Sequence, residues 1–62
     1  MKYRIRWIMN GETFLHDEKS FYTAIEWLEA NKERFDFMRP TRIEILEKYN
    51  GEWCRRYIYE DY

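Results

Sequence analysis

The chain has 62 residues with one cysteine and one histidine, which excludes a disulfide framework and a histidine-cysteine metal cluster as the source of its stability. A domain this small buries only about 60% of the surface its unfolded chain exposes, so its three Trp, six Tyr and four Phe and self-association carry the burden, and a homodimer is expected. With 11 Lys and Arg against 12 Asp and Glu, a net charge of −1, neither wholesale electrostatic binding to nucleic acid nor mimicry of it by a uniformly acidic surface is indicated.

Residues 3 to 9 alternate, with Tyr3, Ile5, Trp7 and Met9 on one side and Lys2, Arg4 and Arg6 on the other, the period of a half-buried strand. Asn10-Gly11 follows, the dipeptide that suits a type I′ hairpin because both central residues need positive φ. A two-residue turn sets Trp7 opposite Phe14, Ile5 opposite His16 and Arg4 opposite Asp17, giving the hairpin one aromatic and one basic face.

Ser20 is placed to cap a helix, and Phe21, Ala24, Ile25, Leu28 and Phe35 recur at the spacing of one amphipathic stripe. Trp27 lies at the border of that stripe. Pro40 closes the segment, since the residue before a proline is pushed out of helical conformation. A second hairpin repeats the first: Ile43 and Ile45 alternate with Arg42 and Glu44, Asn50-Gly51 makes the turn, and Trp53 to Tyr59 alternates again. The expected fold is α+β, a single ββαββ domain over residues 1–62, with a four-stranded antiparallel sheet and one helix packed on one face.

Catalysis needs at least two positioned partners, and the candidates are Cys54 and His16. There is no glycine-rich phosphate loop, nucleophile elbow or metal-spaced cluster, so a buried small thiol and a satisfied structural histidine are the better reading. No enzyme activity, cofactor or metal is expected. The acidic pairs Asp17-Glu18 and Glu60-Asp61 sit in no chelating loop, and the first is better placed to favour a helix dipole.

A two-residue turn at Asn50-Gly51 places Ile43, Ile45, Cys54 and Ile58 on the core face. It pairs Lys48 with Trp53, Leu46 with Arg55, Glu44 with Tyr57 and Arg42 with Tyr59 on the open face. With Lys2, Arg4 and Arg6 added, that face is basic and aromatic. The candidate partner-binding residues are Arg6, Arg42, Trp53, Arg55, Tyr57 and Tyr59, with Trp27 on the helix as a secondary candidate. Trp, Tyr and Arg together have the composition of a protein-binding hot spot. The same residues also suit single-stranded nucleic acid, with rings for bases and cations for phosphates, and the blander alternative is cross-strand packing of rings under Arg and Lys stems.

No apolar run reaches the roughly 20 residues of a membrane span, and the unpaired cysteine fits a reducing cytoplasm. A cytoplasmic, unprocessed protein is expected. In size and style the chain resembles the small proteins with which bacteriophages and other mobile elements block host enzymes or defence systems by occlusion. No motif carries that resemblance; it implies a non-enzymatic inhibitor acting sterically on a protein partner.

Overall fold

A computed structural model describes residues 2–61, in which four antiparallel strands form one open sheet with two helices beside it. The strands are β1 (Tyr3–Met9), β2 (Glu12–Glu18), β3 (Arg42–Tyr49) and β4 (Glu52–Asp61); the helices are α1 (Phe21–Ala30) and α2 (Lys32–Met38). Both hairpins turn on Asn-Gly pairs with positive φ at both positions, 52° and 79° at Asn10 and Gly11, 51° and 80° at Asn50 and Gly51. The first hairpin has the expected register, Trp7 opposite Phe14, Ile5 opposite His16 and Arg4 opposite Asp17.

The sheet order is β2-β1-β3-β4. β2 and β3 both run antiparallel to β1, from either side of it, so the connection between them must cross a face of the sheet, and it does so as helix. Ile5, Ala24, Leu28, Phe35, Ile43 and Ile45 form the buried core between the layers. Burying each of the larger aliphatics stabilises the fold by about 1.5–3 kcal/mol, which fixes these faces inward.

Two helices stand where one was expected. α1 opens on a capping box, in which the Thr23 N–H donates to Ser20 Oγ at 3.0 Å and the Ser20 N–H donates to Thr23 Oγ1 at 3.2 Å. It ends at Asn31, whose N–H is shared between the Trp27 and Leu28 carbonyls at 3.1 and 3.2 Å while its side-chain amide also donates to the Trp27 carbonyl at 2.8 Å. Asparagine competes in this way with the helical ladder, and the chain restarts as α2, which still buries Phe35. Arg39, in the left-handed region at φ 52°, closes α2 by donating its N–H to the Phe35 carbonyl at 2.7 Å. Pro40 is buried next to it, and neither helix is long and apolar enough to cross a membrane.

The far strand departs from simple alternation. β4 has ten residues against eight in β3, and the surplus appears as two register shifts, opposite Ile45/Leu46 and opposite Ile43/Glu44. Lys48 faces Trp53 and Leu46 faces Arg55 as expected, but Glu44 faces Ile58 and Arg42 faces Asp61. Each bulge lets two successive residues oppose one and reverses the side chains beyond it. Tyr57 therefore crosses to the helix side, where it meets Phe21 edge to face at 5.8 Å, and Tyr59 follows, its hydroxyl donating to the Glu29 carboxylate. Ile58, expected in the core, is 38% exposed on the open face. Cys54 keeps its expected side, opposite Glu47, but is exposed rather than buried.

Candidate functional site

The open face of the sheet is organised around one carboxylate. Glu44 on β3 is 3% exposed, and its flanking strands each contribute a guanidinium. Arg6 on β1 donates from Nε at 2.9 Å and stands 2.8 Å away through Nη2, both to Oε1. Arg55 on β4 donates to Oε2 at 3.4 Å, and Arg42, two residues along β3, lies 3.8 Å from the same oxygen and 3.6 Å from Asp61. A carboxylate offers about four lone-pair sites, so Glu44 can hold several donors at once, and its burial fixes their positions.

A second cluster adjoins the first. Arg4 on β1 makes a bidentate pair with Asp17 on β2, Nε to Oδ1 at 2.5 Å and Nη2 to Oδ2 at 2.9 Å. The hydrogen bond from Arg4 lowers the Asp17 pKa below the usual aspartate value, and the same bond raises that of Arg4. The Arg4 guanidinium also lies 4.3 Å from the centre of the Trp53 ring, with the Lys48 ammonium 5.8 Å from it. Since Arg4 pairs with Leu46 on β3 while Trp53 belongs to β4, this contact spans β3. It explains why Leu46 is buried although it points away from the helices.

Four of the seven candidate residues, Arg6, Arg42, Trp53 and Arg55, share this face. Tyr57 and Tyr59 do not, for the bulges carry them to the other side. Trp27 is half-buried in an aromatic network on the helix side, 5.7 Å from Trp7 and 5.9 Å from Phe35, with His16 stacked on it at 4.0 Å. It is therefore chiefly a packing residue. Lys2 precedes β1 and lies 4.0 Å from Glu47. Among the described residues Trp53 is the one aromatic ring on the open face.

No protein family matches this chain, and no curated protein or solved structure does. What the face does must follow from its own chemistry. Five cations, Arg4, Arg6, Arg42, Lys48 and Arg55, stand there against three carboxylates, Asp17, Glu44 and Asp61. That is an excess of two positive charges on a chain whose net charge is −1. The open face is thus the basic side of a slightly acidic protein.

His16 and Cys54 lie on β2 and β4, the opposite edges of the sheet, at least about 14 Å apart across three strand spacings, so no thiol-imidazole pair forms. His16 Nε2 instead meets the Glu18 carboxylate at 2.6 Å. No group of three or more His, Cys, Asp or Glu side chains among the described residues is arranged to hold a metal ion. Sequence reasoning missed Glu44 as the organising residue. Its role depends on β1 lying beside β3, which no local pattern in the chain encodes.

Proposed function

We propose that this chain is a non-enzymatic binding module that recognises a protein partner bearing an acidic surface through the open face of its sheet. The observation that carries this reading is the convergence of Arg6, Arg42 and Arg55 on buried Glu44 beside Trp53. Arg6 is hydrogen-bonded to this carboxylate and so loses less side-chain entropy on binding than a free surface arginine does, while Arg55 and Arg42 stand at ion-pair distance beside it. Each still has N–H donors available to a partner's carboxylates. Trp53 supplies apolar contact area at the same place, and the combination is typical of interface hot spots.

Occlusion of the bound protein is the mode of action that a rigid module of this size offers, in keeping with its resemblance in style to inhibitors from mobile elements. The unpaired Cys54 suits a reducing cytoplasm. Single-stranded nucleic acid is the lesser fit, because stacking successive bases needs a row of rings and this face supplies Trp53 alone.

The test compares wild type with W53A and R55A, each checked for folding by circular dichroism. Immobilised proteins are exposed to extract, and labelled single-stranded DNA and RNA are titrated separately. A protein retained by wild type and lost from both variants supports the proposal, with an affinity loss of at least about 2 kcal/mol, roughly thirtyfold, for W53A against the purified partner. Retention unaffected by either substitution refutes it. So does tight oligonucleotide binding whose logarithm falls steeply with the logarithm of salt concentration.

A further inference from the structure

The helix side carries a second surface with a different character. Phe37, on the last turn of α2, is 89% exposed, the most exposed large hydrophobic side chain among the described residues. Successive helical residues are offset by about 100°, so while Phe35 points into the core, Phe37 points away from it. Beside it opens a crevice of about 90 Å³ walled by Trp7, Trp27 and Phe35 at its base and by Arg34 and Met38 at its lip. The same Arg34 and Met38, with Glu33 and Phe37, line a shallow outer hollow. An aromatic knob and an aromatic-walled hole thus share one lip.

We propose that this surface is the interface between two copies of the chain, related by a two-fold axis through the hollow, with each Phe37 seated in the other copy's crevice. A two-fold contact must be self-complementary, and a patch holding both knob and hole meets that requirement in a way that a flat apolar face does not. Charge agrees with shape: Glu33 and Arg34 are adjacent and both line the hollow, so antiparallel α2 helices set each Glu33 against the other copy's Arg34. The contact buries Phe37, which contributes nothing to the core of its own chain.

The patch is confined to α2 and the crevice, which puts the contact at the low end of interface sizes, below about 1,200 Å² in total. The dimer is accordingly weak, with a dissociation constant on the order of 10 µM. It leaves both arginine faces pointing outward, so the pair presents two binding faces at once. The inference does not depend on what those faces bind.

Sedimentation equilibrium over about 5–500 µM tests it. The wild-type mass should rise from about 1.4 to about 1.9 times that of one chain, approaching twice that without passing it. F37E should stay monomeric throughout with an unchanged circular dichroism spectrum, as expected for a side chain outside the core. R34E should weaken the dimer at least tenfold, and the E33R/R34E exchange should restore it, while R55A should dimerise like wild type. A monomeric wild type at the highest concentration, growth beyond two chains, or a dimer that survives F37E overturns the proposal, as does loss of the dimer in R55A, which would move the contact to the sheet face.

Discussion

Replacing Glu44 with Gln keeps the shape of the buried side chain and removes the charge that holds Arg6, Arg42 and Arg55 together. Deleting one partner of a fully buried ion pair costs about 3–5 kcal/mol, because the other charge is left without compensation. Here the arginine side chains are 37–52% exposed and regain water, which lowers the figure. What is lost outright is the charged character of the two Arg6 contacts at 2.8 and 2.9 Å; the Arg55 and Arg42 contacts, at 3.4 and 3.8 Å, are long and count for little. A hydrogen bond to a charged group contributes about 1.5–3 kcal/mol, and the new amide turns a donor toward donors, so E44Q should lose about 2 kcal/mol. For a domain of this size that lowers the melting temperature by about 8–16 °C. Thermal unfolding followed by circular dichroism measures it, and repeating the scan in 1 M NaCl, where screening acts over about 3 Å, should narrow the deficit by relieving repulsion among the guanidiniums. A variant melting within about 2 °C of wild type at low salt would show that Glu44 does not organise the face.

Three further outcomes follow from the same geometry. Asp17 has a folded-state pKa below its unfolded value, so its pairing with Arg4 stabilises the fold above the ordinary aspartate pKa of about 4 and that contribution disappears as the pH falls through the lowered value. D17N should accordingly be less stable than wild type at pH 7 and converge with it in acid, as read by urea unfolding at several pH values; a gap that widened in acid would reverse the sign of the argument. Gly51 has φ +80° and nothing within 4 Å of where a Cβ would stand, so G51A should cost about 1–2 kcal/mol from backbone strain alone, measured by denaturant unfolding. S20A removes the hydroxyl that receives the Thr23 N–H and should cost about 1 kcal/mol by the same assay.

The parts of the fold legible in the chain were those set by local rules. Asn10-Gly11 and Asn50-Gly51 determine both turns, and a two-residue loop leaves a single register for β1 against β2, so the pairing of Trp7 with Phe14 could be read directly. The pairing of β1 with β3 could not, since it depends on how the helical crossover lands, and with it went the role of Glu44. Asn31 was hidden inside an unbroken apolar stripe, because Phe35 keeps nearly the same phase on either side of the break. The faces of Tyr57 and Tyr59 were misjudged although a warning was present. Strict alternation from Trp53 puts Arg56 in the middle of a core face flanked only by Cys54 and Ile58, a poor arrangement for burial. A strand whose regular reading buries an arginine is a candidate for a bulge.

The reason the bulges are stable lies in where the helices sit. α1 packs over β1 and β2, so the helix side of β4 must be covered largely by its own side chains. Tyr57 against Phe21, the Arg56 guanidinium 5.6 Å from the centre of the same ring, and Tyr59 reaching Glu29 supply that cover. The bulges also twist and interrupt an edge that would otherwise offer unpaired backbone to a neighbouring strand. With Tyr57 and Tyr59 on the helix side, the open face carries an excess of positive charge beside exposed Leu15 and Ile58, while Phe37 on α2 is the most exposed large hydrophobic side chain among the described residues. The two surfaces should therefore differ in their sensitivity to salt. Raising ionic strength screens the arginine face and weakens capture of an acidic partner steeply, whereas an interface closed by Phe37 rests mainly on apolar burial, loses only the screened share of its Glu33–Arg34 pairs, and is strengthened by excluded salts such as sulfate. Measuring both associations in one salt series separates the two kinds of contact without any substitution, and equally steep loss of both would show that the Phe37 contact is held by charge rather than by apolar burial.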